Sequence, residues 1–354
     1  MLSEKNAQIL VGNDCMFSHY IKMNTGSHRI IDKETKEDIT NTSTINIENH
    51  VWCGMGVTAL PGCDVGTGSI IGASSLINSK ISNNSTCDET FKKIQNVELE
   101  MLKEVDRICR KYDIIYELDG GTLLGAVRYG GFIPWDDDID IGMLRKDYDK
   151  FCDVCQNEFG EKYFWQTYHT DPGYRWEYGR VLKNNTKFFR SDHEMIKSKN
   201  GIFLDIFPCD NMPEKGLSKL IFNLRSFIAR KIGYSVVGAR YEKNILKKIA
   251  YKLLALIPMR LVAKEYDKLS QKYAGIETKY VRTTGWHWKQ ESKGYLRSWL
   301  TEYEEIKFED MVSFAPKDTD GFLRYMYGDD YMTPPPADKR KPQHLATLIE
   351  FGEE

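Results

Sequence analysis

Residues 118–143 read LDGGTLLGAVRYGGFIPWDDDIDIGM, and this stretch decides how the larger part of the chain folds. The apolar residues just before and at its start, Ile114, Ile115, Tyr116 and Leu118, predict a short buried strand. Gly120, Gly121 and Thr122 break that strand and start a helix, expected over Thr122–Arg128. A second turn, Gly130-Gly131, leads through Trp135 to Asp136, Asp137, Asp138, Ile139 and Asp140. Side chains alternate along a strand with period two, so Ile139 and Ile141 point one way while Asp138 and Asp140 point the other. Two carboxylates on one face repel unless a cation sits between them. Hard oxygen ligands suit Mg²⁺ or Mn²⁺ carrying a phosphate-bearing substrate. The glycine pair at a helix N-terminus is a place where backbone N–H groups meet phosphate.

Other readings of the acidic run compete with this one. An acidic run is usually a solvated surface, but the Ile interleaving and the Trp135 flank argue for a strand end. A calcium loop of the EF-hand kind needs Gly at its sixth position. Counting from Asp136, that position holds Ile141, so the calcium reading fails. The Asp-Ile-Asp metal site of a sugar-nucleotide glycosyltransferase stays open.

The stretch resembles the core motif of the LicD family of phosphotransferases, which is related to fukutin and belongs to the nucleotidyltransferase superfamily. A second match lies near the C-terminus: Phe308-Glu309-Asp310, the run from Tyr325 to Met332, Pro334-Pro335, Lys339, Arg340 and His344. The resemblance covers about residues 88–350. It implies transfer of a phospho-alcohol group, phosphocholine in the namesake case, from a CDP-linked donor to a glycan hydroxyl. In that scheme Asp138 and Asp140 hold Mg²⁺, and Asp136 or Asp137 serves as general base. Gly120, Gly121 and Thr122 meet the donor's phosphates, while Arg128, Lys339, Arg340 and His344 supply cations or contacts for its diphosphate. Asp205 stands in an apolar run, Gly201 to Pro208, where a lone carboxylate costs several kcal/mol to desolvate unless paired or metal-bound. It is the expected third metal ligand, matching the third acidic strand of the superfamily.

Global properties bound the rest. The chain has 354 residues, 28% charged, a formal net charge of −2 and a mean hydropathy of −0.49. Two domains are the expectation at this length, with no nucleic-acid partner. Nothing near the N-terminus resembles a signal peptide, and no apolar run reaches the roughly 18 residues of a spanning helix. A cytoplasmic location, or the inner face of a membrane, follows as an expectation. The eight cysteines are scattered, and Cys152 and Cys155 fall in a helical pattern, which reads as core thiols.

The chain begins differently. Apolar residues recur every six positions at Val11, Phe17 and Met23, then at Ile47, Cys53, Ala59, Val65, Ile71 and Ile77. That period is the signature of a hexapeptide β-helix. Residues 51–77 resemble the closing coils of left-handed β-helix O-acetyltransferases, and residues 26–44 the loop those enzymes extrude. The resemblance implies acetyl-CoA as cofactor and His28, in that loop, as general base. His19 and His50 read as coil residues. Residues 1–82 allow about four coils, and a remnant that only trimerises is the competing reading.

Residues 79–88 are polar and read as a linker. A helix is expected over Glu89–Tyr112 and another over Lys146–Phe159, with strand-like segments at 162–168, 177–182 and 187–190. From Lys215 to Lys264 bases are frequent and acids nearly vanish. Leu217, Leu220, Ile221, Leu224, Phe227 and Ile228 form one helical apolar stripe, and Ile249, Leu253, Leu256 and Ile257 another. Such helices lie on an anionic membrane or pack into a core with the basic face solvated, and the sequence leaves both open. Aromatics of the last third, among them Trp286, Trp288, Trp299 and Tyr325, suit ring stacking or core.

The expected fold is an α/β nucleotidyltransferase-like mixed sheet with helices at 88–354, preceded by a short left-handed parallel β-helix at 1–82. The expected function is metal-dependent phosphotransfer to a surface glycan with release of CMP, in a homotrimer. A sugar-nucleotide glycosyltransferase and a non-catalytic scaffold are the alternatives.

Overall fold

The computed structural model describes residues 7–25, 43–72, 75–77, 80–81, 86–87, 89–191, 193–283, 294–336, 339–340, 344 and 346–352. Two compact units are present, Met1–Asn96 with Pro334–Gln343, and Val97–Thr333 with His344–Glu354.

In the first unit, β1 (Ile9–Val11), β2 (Met16–Phe17) and β3 (Lys22–Met23) make one coil. A second follows with β4 (Ile45–Ile47), β5 (Trp52–Cys53) and β6 (Thr58–Ala59), and a third with β7 (Asp64–Val65), β8 (Ile70–Ile71) and β9 (Leu76–Ile77). A fourth begins with β10 (Lys80–Ile81) and β11 (Thr86–Cys87). Strands of successive coils pair in parallel, giving three sheets, one per face. Asn46 pairs with Asp64, Trp52 with Ile70 and Thr58 with Leu76, an offset of 18 residues or three hexads. The six-residue period therefore sets the register. It also builds the core, because Ile47, Cys53, Ala59, Val65, Ile71 and Ile77 are all buried. The first coil differs: β1 pairs only with β4, and Ile9, Val11, Met16 and Phe17 stay exposed. The stretch expected as a linker carries β10 and β11, which extend the coils onto β7 and β8.

The second unit is built on a mixed sheet. Its elements in order are α1 (Glu89–Lys111, belonging to this unit from Val97), β12 (Glu117–Leu118), α2 (Gly120–Tyr129), β13 (Asp140–Leu144), α3 (Arg145–Phe159), β14 (Tyr163–Gln166), β15 (Gly179–Lys183), β16 (Lys187–Arg190) and β17 (Phe203–Asn211). Helices α4 (Gly216–Gly233), α5 (Ser235–Tyr241), α6 (Ile245–Leu254) and α7 (Met259–Gln271) follow. Then come β18 (Tyr280–Arg282), β19 (Tyr295–Leu296), α8 (Ser298–Thr301), the hairpin β20 (Tyr303–Phe308) and β21 (Met311–Pro316), α9 (Thr319–Tyr327) and β22 (Ala346–Glu350).

The sheet runs β12-β13-β17-β15-β14, with β18 continuing from β17 to β19. Only β13 and β17 are parallel, the other pairs of this sheet being antiparallel. The central β17 reads FLDIFPCDN, buried along nearly its whole length, as a strand covered on both faces must be. Helix α3 packs on β13, β14 and β17 and buries Tyr148, Phe151, Cys155 and Phe159. Burial pushes the Cys152 thiol up to about 12 and raises the Cys155 thiol as well. Both therefore stay thiols, as core residues should, and neither is in a disulfide.

Of the two readings left open for the apolar stripe on α4, packing into the core is not the one the structure shows. Phe222, Ser226, Ala229 and Ile232 are the buried residues of α4, whereas Leu217, Leu220, Leu224 and Phe227 are exposed. The stripe is thus the solvent-facing side of the helix, and the opposite side packs inward. Trp286 and Trp288 lie outside the described residues, while Trp299 and Tyr325 stack 5.2 Å apart in a buried aromatic group with Phe322.

Candidate active site

The site forms where α2 leaves the sheet. Asp119 has extended backbone angles and caps α2, accepting the Gly120 N–H at 2.7 Å, so the helix starts two residues before Thr122. Gly120 has φ of +51°, a conformation that favours glycine. At Gly121 a Cβ would lie 2.6 Å from Asp136 Oδ2, so a side chain there would displace that carboxylate. The Thr122 hydroxyl accepts the Asp140 N–H at 2.9 Å, and the Asp119 N–H donates to the Asp140 carbonyl at 3.0 Å. The cap, the glycines and the first residue of β13 are thus one hydrogen-bonded unit. The Gly120 N–H, one of the groups expected to meet phosphate, is already occupied by Asp119.

Strand β13 begins at Asp140; Asp136 to Ile139 precede it as irregular chain. Ile139 and Ile141 are fully buried, but Asp136, Asp137 and Asp138 are buried too, so burial does not alternate along the run as a strand from Asp138 would require. Asp140 lies directly opposite Asp205 of β17 across the parallel pair, and the Asp205 N–H donates to the Ile139 carbonyl at 3.0 Å. Asp205 itself faces Arg180 on the other neighbouring strand, in register. Both of its oxygens accept from that guanidinium, at 2.6 and 2.7 Å. Arg180 also lies over the Phe203 ring, 3.8 Å from its centre. Of the two ways to keep a carboxylate inside an apolar strand, pairing is the one present here. Each Asp205 oxygen keeps a further lone pair for another partner.

His344 closes the other side. Its backbone N–H donates to Asp137 Oδ2 at 3.0 Å. Its Nδ1 stands 3.4 Å from oxygens of both Asp137 and Asp138. One ligand atom each from Asp137, Asp138 and His344 lies within 4.8 Å of the others, the spacing of a cation site. The expected pair Asp138 and Asp140 and the third residue Asp205 stand close enough for their charges to act on one another. The tightest grouping, however, is 137, 138 and 344.

The electrostatics of this cluster are unfavourable as it stands. Burial and the neighbouring Asp138, Asp205, Asp119 and Asp136 hold the Asp140 carboxyl well above its usual range. Asp136 is raised in the same way by burial, then by Asp138 and Asp137. Burial pushes Asp138 up to about 6 against the opposing pull of His344, and pushes Asp119 up to about 6 against its Gly120 hydrogen bond. Burial disfavours the charged His344 ring, but Asp138 and Asp137 outweigh it and raise its pKa.

Three further groups belong here. Glu98 of α1 is fully buried, neither of its oxygens has a hydrogen-bond partner, and burial together with Asp138, Asp137, Asp136 and Asp205 raises it strongly. The signal was readable, since Ile94, Glu98, Met101 and Val105 fall on one helical face. Tyr327 points its hydroxyl toward Gly120 from α9, and Arg190 of β16 acts on Asp138 and His344.

Arg128, in the last turn of α2, donates to the Thr333 carbonyl at 3.2 Å. The Gly130-Gly131 turn is pinned by Glu309, which accepts the Phe132 N–H at 3.0 Å and donates its own N–H to Gly130. That contact explains why Phe308-Glu309-Asp310 accompanies the first motif. Lys339, exposed, and Arg340, whose Nε donates to the Pro335 carbonyl, are in the first unit. His28 lies outside the described residues.

The LicD/FKTN/FKRP nucleotidyltransferase-domain model matches residues 113–227, spanning the glycine pair, the acidic run, Arg180 and Asp205. The lipopolysaccharide cholinephosphotransferase LicD of Haemophilus influenzae is 31% identical over 267 residues, 72% of this chain and 96% of that protein. This chain belongs to the LicD family. Membership makes it a transferase. The human ribitol 5-phosphate transferase FKRP is 42% identical over 53 residues, 14% of this chain and 11% of that protein. The N-terminal resemblance is also found: the galactoside O-acetyltransferase of Lactococcus lactis is 35% identical over 79 residues, 22% of this chain and 38% of that enzyme. Among the described residues no helix is long and apolar enough to cross a membrane.

Proposed function

We propose that the chain transfers a phospho-alcohol group of the phosphocholine type from a CDP-linked donor to a hydroxyl of a surface glycan, releasing CMP. The observation that carries this reading is the set of buried carboxyls at the head of β13, whose mutual repulsion favours a cation among them. The donor set is oxygen-rich with one imidazole, which fits Mg²⁺ or Mn²⁺. Asp138 and Asp140 would hold it, with Asp137 and His344 beside them and Asp205 through the lone pairs Arg180 leaves. When bound, the ion would offset the charge on the donor's diphosphate.

The chain's own residues do the rest. Gly121 lets the Asp136 carboxylate approach the start of α2, Thr122 holds the first residue of β13 in place, and Arg190 adds positive charge beside Asp138. Asp136 or Asp137 takes the proton of the acceptor hydroxyl as its oxygen attacks phosphorus. Positioning and electrostatics supply most of the rate in such transfers. The family membership and the names of the relatives support a glycan acceptor.

For the first unit we propose a left-handed β-helix that trimerises the chain, or O-acetylates a glycan with acetyl-CoA and His28 as base. A cytoplasmic enzyme is the matching location. The test is a screen of CDP-linked alcohols with Mg²⁺ and a glycan acceptor, following the nucleotide released. CMP is the expected product; release of UDP or GDP from sugar nucleotides instead would identify a glycosyltransferase.

A further inference from the structure

Helices α4 and α6 carry a surface that neither the transfer chemistry nor the core uses. On α4, Leu217, Leu220, Ile221, Leu224, Phe227 and Ile228 are 41–71% exposed, at spacings of three and four that place them on one face. The helix is already anchored by its other face, through Phe222, Ser226 and Ala229. On α6, which packs beside α4, Ile245, Leu246, Ile249 and Leu253 are 51–78% exposed, and only Tyr251 is buried. Leu256, just beyond α6, is 78% exposed. Patches of this size on a globular protein mark an interaction surface.

The charge around them selects the partner. Between Lys215 and Lys264 the sequence holds 12 lysines and arginines against one acid, Glu242. Lys215, Arg240, Lys243, Lys247, Lys252, Arg260 and Lys264 are exposed. A second copy of the same face would bring like charges together, which disfavours self-association. A flat, anionic, apolar-cored partner satisfies both properties at once.

We infer that the α4–α6 face docks on an anionic lipid bilayer, with the leucine and isoleucine side chains entering the acyl boundary and the lysines meeting lipid phosphates. Helices of this kind lie in the plane of the interface rather than across it. The consequence for the enzyme is an acceptor that is itself anchored in the membrane, delivered to a site held at the lipid surface.

Sedimentation of the full chain with vesicles tests this without nucleotide or glycan, so its outcome is independent of whether transfer occurs. Vesicles of phosphatidylglycerol and phosphatidylcholine should bring the protein down, pure phosphatidylcholine much less, and high salt should release it. Leu220→Asp with Leu224→Asp should abolish binding. Lys247→Glu and Lys252→Glu should each weaken it by at least about fivefold, the equivalent of roughly one cation's attraction. All four side chains are solvent-exposed, and circular dichroism checks that the variants fold. Failure of wild type to sediment with anionic vesicles, or unchanged sedimentation of the leucine variant, would overturn the inference. So would light scattering showing that wild type self-associates and that the leucine variant dissociates, because the face would then be an interface between copies.

Discussion

Replacing Arg180 with Met examines the electrostatics of the site without touching a residue expected to bind substrate. The side chains of Arg180 and Asp205 are 13% and 7% exposed and are joined by two hydrogen bonds of 2.6 and 2.7 Å. Removing the guanidinium leaves Asp205 buried, facing Asp140 in register and feeling Asp138 close by. Breaking one side of a buried ion pair costs about 3–5 kcal/mol. At roughly 2–4 °C per kcal/mol for a unit of this size, the melting temperature should fall by about 10 °C. Replacing both partners by apolar residues, Arg180→Met with Asp205→Leu, removes both buried charges and should recover most of that loss. Thermal denaturation of the two single variants and the double variant forms a cycle that reads the coupling directly. Added Mg²⁺ should stabilise Arg180→Met by more than it stabilises wild type, because a cation would again face Asp205. A loss under about 1 kcal/mol for Arg180→Met, or a double variant as unstable as the two singles summed, would refute the reasoning.

Three further outcomes are expected. Asp119 and Asp138 have carboxyl pKa values raised from 3.8 to about 6 in the folded state, so the folded chain binds more protons than the unfolded one in that window. Metal-free protein should therefore lose stability as pH rises from about 4 to about 6, and Mg²⁺ should reduce that loss; a melting temperature that climbs through this range would contradict it. Glu98→Leu removes two buried oxygens that lack partners and should raise the melting temperature of metal-free protein while shrinking the stabilisation by Mg²⁺, both read by differential scanning fluorimetry. Gly121→Ala puts a methyl 2.6 Å from Asp136 Oδ2, and CMP release should drop at least about tenfold with the fold retained on circular dichroism.

Much of this was legible in the sequence because local patterns met no opposition. The six-residue period gave both the coil register and the buried positions, since a β-helix core is nothing more than that repeat stacked on itself. The helix at 89–111 and the strand–turn–helix before the acidic run followed from apolar spacing and the glycine pair. What escaped depended on partners distant in sequence. Arg180 reaches Asp205 because β15 is antiparallel to β17, a pairing that no local pattern announces. His344 meets Asp137 from more than two hundred residues away. Glu98 carries a charge, and charge on a helix reads as surface until its neighbours on the same face are counted. On α4 the apolar stripe was legible, but both sides of the helix carry apolar residues, and spacing alone does not say which faces the core.

The most direct measurement is CMP release from a CDP-linked donor by the double variant Asp138→Asn, Asp140→Asn, alongside wild type with and without Mg²⁺. Asn keeps the size of Asp and removes two negative charges from a cluster where every carboxylate raises its neighbour. The account predicts Mg²⁺-dependent turnover in wild type and none detectable in the double variant. The variant's metal-free melting temperature should be equal to or higher than that of wild type. Turnover within a few-fold of wild type would contradict the assignment of the cation and the reaction to this cluster.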